Sequence, residues 1–145
     1  MKTLSIAGAL IFAAAGAKAQ PADAPSPREL HAAQCVAALQ VDTERLAAEV
    51  KAGKAESRPM LQARLEAGVA FVGDAYLQGT RDEARARALA NNALEAQKSL
   101  SKDELAARQT SCADEGTKLL EESNGLERAV VRQVAKRRMA KLLAG

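Results

Sequence analysis

The chain has 145 residues, 48% of them hydrophobic, yet it holds only two Phe, one Tyr and no Trp. Its 21 Lys and Arg stand against 18 Asp and Glu, a formal charge of +3, with one His and two Cys. That length fits one domain, and a single histidine leaves little for metal or nucleophile chemistry that needs two.

The first nineteen residues read as a secretory signal peptide. Met1-Lys2 is a short positive start, Leu4 to Ala17 is apolar or small apart from Ser5, and Ala17-Lys18-Ala19 offers small residues at a cleavage site after Ala19. A membrane anchor is the competing reading. The apolar run is short of the ~20 residues a span needs, and Pro21, Pro25 and Pro27 follow at once. The expectation is therefore an exported, periplasmic or secreted protein.

Removing that segment takes away Ile6, Ile11 and Phe12, so the mature chain has no isoleucine and only Phe71 and Tyr76 as aromatics. Strands favour β-branched and aromatic residues. This chain is instead rich in Ala, Leu, Glu, Lys, Arg and Gln, the strong helix formers, and the expected class is all-α. Lys2 and Lys18 leave as well, so 19 basic residues face 18 acids, a formal balance of +1. The basic excess is concentrated at the end of the chain, and no nucleic-acid partner is expected.

A flexible Pro/Ala-rich leader is expected over residues 20–26. A helical bundle is predicted over 27–125. Ser26-Pro27-Arg28-Glu29 combines a capping box with proline at the first helical position. The first helix runs to about Ala52, with Gly53 as its stop, and Cys35, Leu39, Asp42, Leu46 and Val50 share one face. Asp42 interrupts that stripe and is placed at its edge.

The second helix carries Leu61, Leu65, Gly68, Val72 and Tyr76 at helical spacing. Val69 to Val72 is apolar all round, so this helix is expected to be the most buried, with Gly68 and Gly73 marking close helix–helix approach. Gly79 ends it. Thr80-Arg81-Asp82-Glu83 reads as a second capping box before a third helix over about 81–99, poor in large apolar residues.

Ser101-Lys102-Asp103-Glu104 is a third box. The fourth helix sets Leu105, Gln109, Cys112, Gly116 and Leu119 on one stripe and stops at Ser123-Asn124-Gly125. In an up-down bundle of four helices, the first and fourth are antiparallel. Cys35 and Cys112 then fall at nearly the same level, and an exported chain with two cysteines is most simply disulfide-bonded there.

Residues 126–145 form a basic amphipathic fifth helix. Leu126, Val130 and Val134 make an apolar face, and Arg128, Arg132, Lys136, Arg137, Arg138 and Lys141 supply the positive charge. That helix either folds onto the acidic bundle, lies on an anionic membrane surface or docks another envelope protein. Its pattern changes after Lys136, so one straight helix on one surface does not account for both halves.

The chemistry-bearing motifs are few. His31 lies one turn before Cys35, as a base-activated thiol requires, but an oxidised cysteine and a surface histidine is the plainer reading. Asp114-Glu115 and Glu121-Glu122 read as solvated faces. There is no G-x-S-x-G, no phosphate loop and no dinucleotide glycine pattern, so neither catalysis nor a cofactor is expected; one histidine and two oxidised cysteines would leave only carboxylates for a metal, and none is expected. The best reading is a non-catalytic binding or structural protein of the cell envelope, with a helical chaperone or inhibitor-like binder of another envelope protein as the alternative.

Overall fold

The computed structural model describes residues 24–145; the expected signal peptide and most of the leader lie outside them. Five α-helices follow one another: α1 (Pro27–Lys51), α2 (Arg58–Leu77), α3 (Glu83–Gln97), α4 (Lys102–Glu122) and α5 (Gly125–Ala144), with a 3-10 turn at Ala55–Ser57 before α2. No strand occurs among the described residues. The fold is an all-α, up-down bundle with one disulfide.

The helix starts follow their local chemistry. Ser26 and Ser101 each accept the backbone N–H of the glutamate three residues on, Glu29 and Glu104, and each glutamate reaches back to its serine N–H at 2.8 Å. Gly53 and Gly79, at φ 95° and 108°, turn the chain after α1 and α2 in a conformation that disfavours any side chain. Two boundaries differ from expectation. Asp82, not Thr80, caps α3 by accepting from the Arg85 N–H, while the Thr80 hydroxyl donates to Glu29. Asn124 does not end α4; it caps α5 in a capping box with Glu127, and Ser123 is the last residue of the preceding turn.

Cross-helix pairs set the directions. Arg28 bonds Asp74 and Asp42 bonds Arg64, so α1 and α2 are antiparallel. Cys35 meets Cys112, and Gln109 donates to the Ala38 carbonyl, so α4 is antiparallel to α1 and parallel to α2. Glu29 pairs with Arg85, and Gln97 donates to the Gln34 carbonyl, so α3 runs with α1.

The arrangement is triangular at its centre. α1, α2 and α4 pack on one another, α3 packs chiefly on α1, and α5 packs on α2 and, less extensively, α1. The central core is Cys35, Leu39, Ala67, Phe71, Cys112 and Ala113. A second cluster joins Leu46, Ala47, Leu61 and Leu65 to Ala135 of α5, and a third joins Ala33 and Ala37 to Ala93 of α3.

Three expectations about burial are corrected. α1 is the most buried helix, because it packs against each of the four others, whereas Val72 and Tyr76 of α2 are exposed. Asp42 is not at an edge: it is 3% exposed, and its two oxygens accept from Arg45 at 2.6 Å and Arg64 at 2.9 Å. A buried carboxylate persists only when so paired. The close helix approach is at Gly116, not at Gly68 or Gly73. A Cβ on Gly116 would meet the Ala67 Cβ at 2.7 Å and its backbone oxygen at 2.8 Å, whereas one on Gly73 would meet nothing within 4 Å.

Two tests follow from this packing. Gly116→Ala gains about 1 kcal/mol of helix propensity, but it must push α4 off the α2 backbone. A net loss of about 1–3 kcal/mol in urea unfolding is expected, while Gly73→Ala is expected to stabilise by about 0.4–1 kcal/mol. Equal effects at the two sites would contradict the asymmetry.

Acid should weaken the fold through two capping carboxylates and one that ties the α1–α2 turn. The Ser26 N–H, aided by Arg85, holds the Glu29 carboxyl below its ordinary value of 4.5. The Ser57 hydroxyl does the same for Glu49, and the Ser101 N–H for Glu104. A depressed carboxylate contributes stability that is fully present above its unfolded pKa and lost as pH falls through the folded one. The melting temperature should therefore hold near neutrality and drop below pH ~4.5, and Glu104→Gln should lessen the drop.

Candidate functional site

Two places concentrate chemistry. The first is the α1–α4 junction. The Cys35–Cys112 bond joins the helices with Cα atoms 5.2 Å apart, and both residues are buried. In antiparallel helices, the residue four before one cysteine and the residue three after the other come to the same side. They are His31 and Glu115. The His31 Nε2 lies 2.8 Å from a Glu115 carboxylate oxygen and 3.8 Å from the Cys35 sulfur. Phe71 meets the imidazole edge-on, with ring centroids 6.3 Å apart.

Glu115, read from sequence as a solvated acid, is thus the partner of the only histidine. The signal that identifies it is the helix register the disulfide imposes, not the local pattern. His31 does approach Cys35 as the one-turn spacing requires, but the sulfur is in a bond and not a free thiol.

The second place is a groove on the α1–α2 face opposite α4. It exists because α3 packs mainly on α1, and α5 crosses α2 obliquely. The start of α5 sits by Leu77, Leu119 and Leu120, and its end reaches Leu46 and Ala47 of α1. Between them, two adjoining cavities of about 470 and 290 Å³ share Val36 and Arg138. Ala32, Ala33, Val36 and Leu39 form the floor, Leu89 and Ala90 of α3 one wall, and Val72 and Tyr76 of α2 the other.

The charges of α5 are divided by this crossing. The expected apolar face is overturned: Leu126 is 76% and Val130 54% exposed. The buried stripe is Val131 and Ala135, continued by partly buried Met139, Leu142 and Leu143, so the helix packs through residues on the opposite side. Arg132, Lys136 and Arg137 are exposed, and Arg128 is half-buried. Arg138 and Lys141 alone among these six line the groove.

The groove's charges do not cancel. Glu29 is paired with Arg85 and Glu83 with Arg87, which leaves Glu44, hydrogen-bonded by the neutral Gln40 amide, as the acid of the lining with no ion pair among the described residues. Arg64 is tied to Asp42, whereas Arg81, Arg138 and Lys141 make no ion pair among the described residues. Arg81 lies over the Tyr76 ring at 5.7 Å. The sequence singled out Arg138 and Lys141 by charge but missed Arg81, Val72 and Tyr76, whose role depends on where α3 lies.

No helix among the described residues is long and apolar enough to cross a membrane. No protein-family model, curated protein or solved structure matches this chain.

Removing the α1–α4 bond tests its weight. The bond closes 77 residues, so Cys35→Ala/Cys112→Ala is expected to lose about 4–5 kcal/mol by urea unfolding. A loss below about 1 kcal/mol would show that helix packing alone fixes the pairing.

Proposed function

We propose that this chain is an exported, non-catalytic binding protein whose site is the α1–α2 groove, and that it takes an acidic amphipathic helix of another envelope protein. Export rests on the signal-like start, with Lys2, the Leu4–Ala17 run and the small residues at Ala17 and Ala19, and it agrees with a disulfide. The absence of catalysis rests on the lone histidine being engaged by Glu115 beside an oxidised cysteine.

The observation that carries the binding reading is the unbalanced rim. An apolar floor with exposed Val72 and Tyr76 is bordered by three cations that make no ion pair among the described residues, Arg81, Arg138 and Lys141, against one such acid, Glu44. A helix lying in a groove offers apolar residues at i, i+3, i+4 and i+7 to the floor. Glu or Asp beside that stripe would meet the rim cations, which supplies register and selectivity more than raw affinity. A lipid surface fits less well, because α5 already spends Val131, Ala135, Met139 and Leu142 on the bundle.

The test is anisotropy of a labelled, stapled amphipathic peptide with glutamates flanking its apolar stripe. The peptide should bind the full chain. Arg138→Glu/Lys141→Glu should weaken binding at least tenfold, and a lysine-flanked peptide should bind no better than background. Equal binding of the two peptides, or capture by anionic vesicles without peptide binding, would overturn the reading.

A further inference from the structure

The expectation that no metal is bound rested on the cysteines being oxidised. The structure gathers more at that point than a disulfide needs. The donor atoms of His31, Cys35 and Glu115 all lie within 4.8 Å of one another, and the Cys112 sulfur is bonded to that of Cys35. An imidazole nitrogen, a carboxylate oxygen and the Cys35 sulfur therefore converge from α1 and α4, with the Cys112 sulfur held beside the last by the bond. We propose that, when the Cys35–Cys112 bond is reduced, His31, Cys35, Cys112 and Glu115 form a zinc site that holds α1 to α4 in place of the disulfide.

The spacing of the His31, Cys35 and Glu115 donors is near what tetrahedral zinc needs. With Zn–S about 2.3 Å and Zn–N about 2.0–2.1 Å, a sulfur and a nitrogen on one ion stand roughly 3.5 Å apart. The His31 Nε2 is already 3.8 Å from the Cys35 sulfur. The nitrogen and the Glu115 oxygen, now 2.8 Å apart, must open by about half an ångström, and the two sulfurs must part by about 1 Å each. Glu115 and His31 are side chains partly in solvent and free to make the small shift. Phe71, edge-on to the imidazole, sets the ring plane. Four protein ligands close the coordination sphere, as in a structural zinc site.

Access is provided by a cavity of about 460 Å³ lined by His31, Gln34, Cys35, Glu104, Arg108 and Cys112. The exchange is balanced. A dithiol gives two electrons to the Cys35–Cys112 bond, leaving as its own cyclic disulfide, and two protein thiols result. Zinc then displaces their two protons to solvent, since thiolate is the ligand form. A small-molecule disulfide reverses the sequence by taking two electrons from the thiolates, re-forming the protein bond and releasing the ion. The same pair of helices is thus stapled under reducing and oxidising conditions alike.

The full chain, reduced with a phosphine, freed of it without air and titrated with Zn²⁺ against a chromophoric chelator, provides the test. One ion per chain is expected in the reduced form and none in the oxidised form. Co²⁺ should give the thiolate charge-transfer band and the visible bands of a tetrahedral site. Cys35→Ser/Cys112→Ser should abolish binding, and His31→Ala and Glu115→Ala should each weaken it at least tenfold. If reduction lowers the helical circular dichroism, Zn²⁺ should restore it. Failure to restore it, absence of the cobalt bands in a reduced chain that stays helical, or unchanged affinity in His31→Ala/Glu115→Ala would overturn the proposal.

Discussion

The Cys35–Cys112 bond is the constraint on which the rest of this structure depends. It fixes not only that α1 and α4 touch but at which level and in which direction. Once that register is set, the other contacts of the junction are consequences of helical spacing. His31 meets Glu115, Gln109 reaches the Ala38 carbonyl, and Gly116 is drawn against Ala67 on the neighbouring helix. A covalent tie between chain positions so far apart removes entropy from the unfolded chain. The fold needs that help, because its central core has one aromatic ring, Phe71, and several alanines.

Small residues shape the packing in two opposite ways. Where α2 and α4 run side by side, Gly116 lets the backbones approach closely, and many weak atom contacts replace the burial that large side chains would give. Where α3 meets α1, Ala33, Ala37 and Ala93 make a close but meagre contact, with Leu89 and Leu94 only partly buried. α3 is consequently held at one side, by small residues against α1 and by polar ties, Glu29 with Arg85 and Gln97 with the Gln34 carbonyl.

The open groove and the buried Asp42 share an origin in the placement of charge. Asp42 spends its two oxygens on Arg45 and Arg64, so a negative charge inside α1 is neutralised at the groove's inner edge. Arg138 and Lys141 of α5 come from the far end of the chain and make no such ion pair among the described residues. Arg138 and Lys141 reach the groove only because α5 crosses from the α4 side of α2 to α1, a path that also explains why its apolar pattern shifts halfway along. The shift after Lys136 was visible as an irregularity, but its meaning required the surface on which each half lies.

The sequence by itself determined the helical class, two of the three boxes that start helices as read, the stop at Gly53, the buried stripes of α1 and α4, and the pairing of the cysteines. Each is set by chemistry within a few residues or by a bond with only one possible partner. Tertiary structure alone decided which helix is most central, where backbones touch, which face of α5 is buried and which charges pair among the described residues. Those outcomes depend on which surface a helix meets. In a chain rich in alanine, with no isoleucine after residue 19, several faces of a helix are nearly equal in hydrophobicity. Leu126 and Val130 formed the more hydrophobic stripe of α5, yet they stay in solvent, because Val131 and Ala135 present the shape that α2 accepts.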